Sequence, residues 1–112
     1  MKNKLMLRMM AEKVNQEIFN SELDISDIQF GFKKKETVSA RAWYINTGKS
    51  IRIILIKDCH DNKKDIFHSV AHELIHHWQA SNDLSVNHNV KHFRYWKAKM
   101  SKRYGFKFNK YF

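Results

Sequence analysis

The chain's 112 residues make one domain's worth of sequence, and a 43% apolar share with eight phenylalanines excludes a disordered or low-complexity protein. No proline and three glycines exclude a turn-rich sandwich of many short strands, and one cysteine, Cys59, excludes an intramolecular disulfide and suits a reducing compartment. Twenty-one Lys and Arg against eleven Asp and Glu, a formal charge of +10, favour anionic partners, nucleic acid above all.

From residue 4 to about 19, Leu5, Met9, Val14, Ile18 and Phe19 recur at roughly helical spacing and predict an amphipathic helix. The basic start, interrupted by Arg8 and Glu12, does not read as a signal peptide, and no stretch is apolar for long enough to span a bilayer. The expected location is the cytoplasm, nucleoid-associated or in a host cell's cytoplasm if the protein is viral. Ile25 to Phe32 reads as a short strand entering the basic turn Lys33-Lys34-Lys35. Val38 to Ile45 and the Ile-rich Ser50 to Ile56 are two further strands. The turn signal Asn46-Thr47-Gly48-Lys49 between them predicts an antiparallel hairpin.

Lys64 to about Ala80 turns helical, with Ile66, Phe67, Val70, Ala71, Leu74, Ile75 and Trp78 on one broad apolar face. A last helix runs from about Asn89 to Arg103, with Phe93, Trp96 and Met100 together and Gly105 as its stop. The tail from Phe106 to Phe112 reads as a terminal strand or a basic arm. The expected fold is α+β and zincin-like, a single domain over residues 1–112. It comprises an N-terminal helix, a small antiparallel sheet of about three strands, a central helix and a C-terminal helix.

The central helix carries His72-Glu73-Leu74-Ile75-His76. Histidines four apart lie one turn above the other, so both rings can reach one ion. Glu73, about 100° around the helix, stands beside that ion, where it can take a proton from an activated water; this is the mechanical content of H-E-x-x-H and points to a zinc metallopeptidase with one zinc ion. Catalytic zinc takes three protein ligands and keeps a position open. Glu73 is the last glutamate, so no downstream Glu can be the third, and the pattern with Gly and His three and six residues past His76 meets Gln79 and Asn82 instead. His68 is two turns from His76, about 12 Å along the axis, too far to share an ion. His77 faces elsewhere. His88 at the loop–helix junction is the favoured third ligand, with His92 as the alternative and Asp83 behind both.

These residues resemble the SprT-like metallopeptidases, which include Spartan-type DNA–protein crosslink proteases. Val14 to Asn20 with Leu23 looks like that family's opening helix, and Ser39-Ala40-Arg41-Ala42-Trp43-Tyr44 with Ser50-Ile51-Arg52-Ile53 like its hairpin. Ala71 to His76 is similar to its active-site helix. Asn87-His88-Asn89 followed by Phe93 and Trp96 is similar to its third-ligand segment, usually Gly-His-Gly then Phe. The resemblance implies ligands at His72, His76 and His88, Glu73 as general base, and substrates bound or crosslinked to DNA. Asparagines replace both glycines, a change the left-handed tolerance of Asn allows. The His88–Phe93 spacing is one residue longer than usual, which keeps His92 open, and there is no four-cysteine C-terminal zinc ribbon. The chain thus looks like a minimal protease core, as a phage or small genome would carry.

From Lys91 onward there are eight Lys or Arg and no acidic residue, interleaved with aromatics. Lys91, Arg94, Lys97, Lys102, Arg103, Lys107 and Lys110 are the candidate phosphate contacts, and exposed aromatics among them would stack on single-stranded DNA. Phe93, Trp96 and Phe106 are read as core. The expected partners are DNA and a protein substrate, with no membrane, and the chain is expected to be a monomer. Two other readings remain: a non-catalytic nucleic-acid-binding module with a closed zinc site, and a regulatory peptidase of the ImmA/IrrE kind that cleaves one repressor.

Overall fold

The computed structural model describes residues 3–34, 41–60 and 62–106. Helix α1 spans Lys4–Ile18, and the Asn3 side chain caps it by accepting the Met6 N–H at 2.8 Å. Its buried stripe is Leu7, Ala11, Val14 and Ile18, spaced four, three and four apart. Leu5 and Met9, expected on that stripe, are 67% and 61% exposed. The first turns carry Leu or Met almost all round, so the sequence there offers several possible faces, and the small Ala11 marks the true one weakly.

Asn20 and Ser21 turn the chain out of α1 in left-handed conformation (φ 56° and 60°). The buried Asn15 amide closes that turn: its Nδ2 donates to the Leu23 carbonyl at 2.8 Å and its Oδ1 accepts the Leu23 N–H at 3.1 Å. Asn15→Ala is expected to cost about 2–3 kcal/mol by leaving both Leu23 groups without these partners, read as a lower urea midpoint at unchanged slope. An unchanged midpoint would mean that water replaces the amide.

Strand β1 is Ile28–Lys33, β2 is Ala42–Asn46 and β3 is Ile51–Ile56, in sheet order β1-β3-β2. β2 and β3 form the expected antiparallel hairpin, with Trp43 opposite Ile54 and Tyr44 opposite Ile53. β1, however, lies parallel to β3, Phe30 beside Ile53, so the sheet is mixed and not wholly antiparallel. β3 takes the centre because its near-continuous apolar run suits a strand flanked on both edges. The Val38–Ala40 part of the expected second strand lies outside the described residues, as does the tail after Phe106.

Ile28, Phe30, Ile53 and Leu55 face the helices and build the core with Leu7, Val14, Val70, Leu74 and Phe93. After a 3₁₀ turn at Lys57–Cys59, helix α2 covers Lys63–Ser81, started by Asn62, whose Oδ1 accepts the Asp65 N–H at 2.9 Å. Helix α3 covers Lys91–Tyr104 and stops at Gly105, whose φ of 71° glycine adopts without strain. Three bonds fasten α3 to α1. Lys99 Nζ donates to the Ile18 carbonyl at 3.1 Å, and Glu17 accepts from both Arg103 and Tyr104. No helix among the described residues is long and apolar enough to cross a membrane.

Candidate metal centre

Helix α2 is buried on nearly all sides through its middle: Val70 to His77 is continuously buried, and His72, Glu73 and His76 are 9%, 5% and 4% exposed. Burying three polar side chains in one stretch is costly unless something meets them. What meets His72 and His76 is the exposed His88, delivered by the loop between α2 and α3. Its Nε2 stands 3.1 Å from His72 Nε2 and 2.9 Å from His76 Nε2, and one ligand nitrogen from each ring lies within 4.8 Å of the others. Three imidazole nitrogens so gathered can hold one metal ion.

The floor of the cluster is Phe93, buried on the first turn of α3, whose ring centre is 5.1–5.4 Å from those of all three histidines. Desolvation holds His72 well below the usual imidazole pKa, with the neighbouring His76 and His88 adding to the effect. Burial also lowers His76 and His88. The rings are therefore uncharged at neutral pH, with lone pairs to offer a cation. Glu73 Oε2 is 3.9 Å from His72 Nε2, and burial pushes this carboxyl up to about 8. A carboxyl raised by burial beside a cluster of ligating nitrogens is the kind of perturbed group that marks functional sites.

The α2–α3 loop is shaped by short polar bonds. Asp83, in left-handed conformation (φ 57°), ends α2, so it acts as the helix stop, outside the histidine cluster. Asn87 Oδ1 accepts the Asn89 N–H at 2.8 Å, which bends the chain around His88. Neither asparagine has a positive φ, so left-handed backbone is not how they replace the resembled glycines; Asn87 shapes the turn through its side chain. His92 belongs to another contact: its ring packs against Trp78 at 5.6 Å between centres.

His77, beside the cluster, faces away. Its Nε2–H donates to the Asp24 carbonyl at 2.7 Å, and Nδ1 pairs with the Tyr44 hydroxyl at 2.8 Å, bolting α2 to β2. His68 stacks on Phe106 at 4.3 Å. The buried His60 pairs its Nε2 with Ser69 Oγ at 2.7 Å and tethers the 3₁₀ turn to α2. Sequence reasoning missed Gln79, fully buried one turn past His76, whose Oε1 lies 2.9 Å from His76 Nδ1. The signal was its i+3 position on a ligand's own helical face.

Lys91, Arg94 and Lys102 are exposed and share one face of α3 with Tyr95, itself 59% exposed. Lys97 is half-buried on the flank toward the cluster, and Arg103 is held by Glu17 at 3.1 Å. Lys107 and Lys110 lie outside the described residues. Phe93 and Phe106 are core, and Trp96 is half-buried against Phe19 and Trp78. No family model matches the chain, and no match was found among curated proteins or solved structures.

Proposed function

We propose that this chain is a zinc metalloendopeptidase of SprT-like type, acting on proteins bound or crosslinked to DNA. The observation that carries the reading is the convergence of His72, His76 and His88 with the Glu73 carboxyl 3.9 Å from a ligand nitrogen. An all-imidazole set of three suits zinc and leaves a fourth position for substrate or water. Zinc bound there supplies Lewis-acid polarisation of a peptide carbonyl and acidifies water at the site.

The chain's own residues do the rest. His76 and His72 would hold the ion from one helix, and His88 would complete the set from the loop. Glu73, ionised once a dication stands beside it, removes a proton from the attacking water at Oε2 and passes it to the leaving amine. The closed four-histidine site of a non-catalytic module would need His92, whose ring stands against Trp78. The acid-free exposed face Lys91, Arg94, Lys102 with Tyr95 supports single-stranded DNA as the partner that brings enzyme and substrate together.

Zinc-loaded protein incubated with a basic DNA-binding protein, with and without single-stranded DNA, is expected to cleave it, and faster with DNA. Reversing the charges of Lys91, Arg94 and Lys102 together is expected to reduce that stimulation and its salt dependence. Cleavage indifferent to DNA would keep the peptidase and remove DNA as its activator. No cleavage in either condition would overturn the DNA-associated peptidase and favour the single-target regulatory peptidase or the non-catalytic module.

A further inference from the structure

Gln79 makes three side-chain contacts whose donor and acceptor roles lock one another. The backbone of Asn87, on the loop that carries His88, offers one group that only donates and one that only accepts. Its carbonyl accepts from Gln79 Nε2 at 2.8 Å, and its N–H donates to Gln79 Oε1 at 3.3 Å. The opposite amide orientation would set like groups against like, so the loop backbone dictates which end of the Gln79 amide is which. Oε1 then faces His76 Nδ1 at 2.9 Å, and because an amide oxygen cannot donate, His76 must carry its proton on Nδ1. The lone pair is thereby assigned to Nε2, the atom 2.9 Å from His88 Nε2. The Gln79 main-chain carbonyl also accepts the Leu84 N–H at 2.9 Å, so both sides of the loop are tied to this one residue.

We infer that Gln79 is a positioning residue that couples the seating of the His88 loop to the tautomer of His76, readying two metal ligands in one step. The inference rests on the reading of the histidine cluster as a metal site and is independent of which bond, if any, is hydrolysed there. When the loop is seated, His88 is in place and His76 presents Nε2; when it lifts, the amide loses its orienting partner and both ligands lose definition together. A buried glutamine with every side-chain bond committed to these two ends has no other evident task. Partners that fix a ligating imidazole in this way are worth about 10–100-fold in metal affinity.

The test uses the full chain and zinc alone. Zinc affinity is measured by competition with a chromophoric chelator for wild type, Gln79→Leu and Gln79→Glu, alongside hydrogen exchange of the Asn87 amide in metal-free wild type. Gln79→Leu removes all three side-chain bonds and is expected to weaken zinc by about 10–100-fold. Gln79→Glu keeps an acceptor for His76 Nδ1–H but sets a carboxylate oxygen against the Asn87 carbonyl. It is expected to fall between the other two proteins in affinity while Asn87 exchange speeds up. In wild type the Asn87 amide is expected to exchange more slowly than those of Ser85 and Val86 on the same exposed loop. Should Gln79→Leu fail to fold, the glutamate variant and the wild-type exchange pattern decide. Zinc binding by wild type with undiminished affinity in both variants, or an Asn87 amide as fast as its neighbours, would overturn the inference alone. No zinc binding by wild type would overturn the metal reading and this inference with it.

Discussion

Glu73→Gln is expected to lower peptide hydrolysis by about 10²–10⁴-fold while the protein still binds zinc, because the amide keeps the side chain's shape but cannot accept the proton. The same substitution has a second signature that needs no substrate. In the metal-free protein, burial raises the Glu73 carboxyl from 4.5 to about 8, so the folded state holds a proton that the unfolded state has already released. Stability therefore falls as pH rises from the ordinary carboxylate range toward 8. The buried histidines act in the opposite sense. Their folded pKa values lie below the ordinary 6.5, so they destabilise the fold only as pH drops below that value.

Between pH 6.5 and 8 the glutamate limb stands by itself among these groups. Urea unfolding in a chelator is expected to show wild type losing about 2 kcal/mol across this window and Glu73→Gln staying flat. Zinc should flatten the wild-type curve as well, since a cation favours the carboxylate. A variant that cleaves as well as wild type would remove Glu73 from the chemistry. A variant with the wild-type pH slope would show that the carboxyl is not buried as described.

Zinc is expected to stabilise the fold by about 4 kcal/mol when its free concentration is a thousand times the dissociation constant. For a domain of this size that corresponds to a Tm higher by roughly 15–30 °C, reversed by chelation. The ligand assignment makes the shift selective. His88→Ala should lose most of it, because His72 and His76 alone leave the ion two-coordinate in protein. His92→Ala should keep it, because that ring packs on Trp78. The reverse pattern would assign the third ligand to His92 and overturn the geometry of the loop.

The parts of the site that one helix carries are legible in the amino-acid sequence. The four-residue spacing of His72 and His76 is enough to stack two rings, and the helical period sets Glu73 beside them. His88 is harder, because a loop lies between it and His76, and no periodicity says where a loop lands; ligand chemistry narrows the choice, and only folding brings the ring within 3.1 Å of His72. Gln79 is marked only by its i+3 position beside His76, a faint sign because a glutamine on a helix ordinarily faces solvent. In the fold, the hairpin is written in Asn46-Thr47-Gly48-Lys49, whereas the direction of β1 is not. Alternating burial looks the same in a parallel and an antiparallel neighbour, so the pattern of β1 does not say which way its partner runs.

The three gathered ligands are all nitrogen, with the chain's one thiol at Cys59 outside the cluster. Thiolate-held zinc is lost when peroxide oxidises the sulfur, but imidazole sites offer no such handle, and zinc itself has no redox chemistry. Oxidative stress would thus leave this centre loaded. If the cluster holds zinc as proposed, acid is the condition that would empty it, by protonating the rings one after another, so its loading would respond to pH and not to redox state.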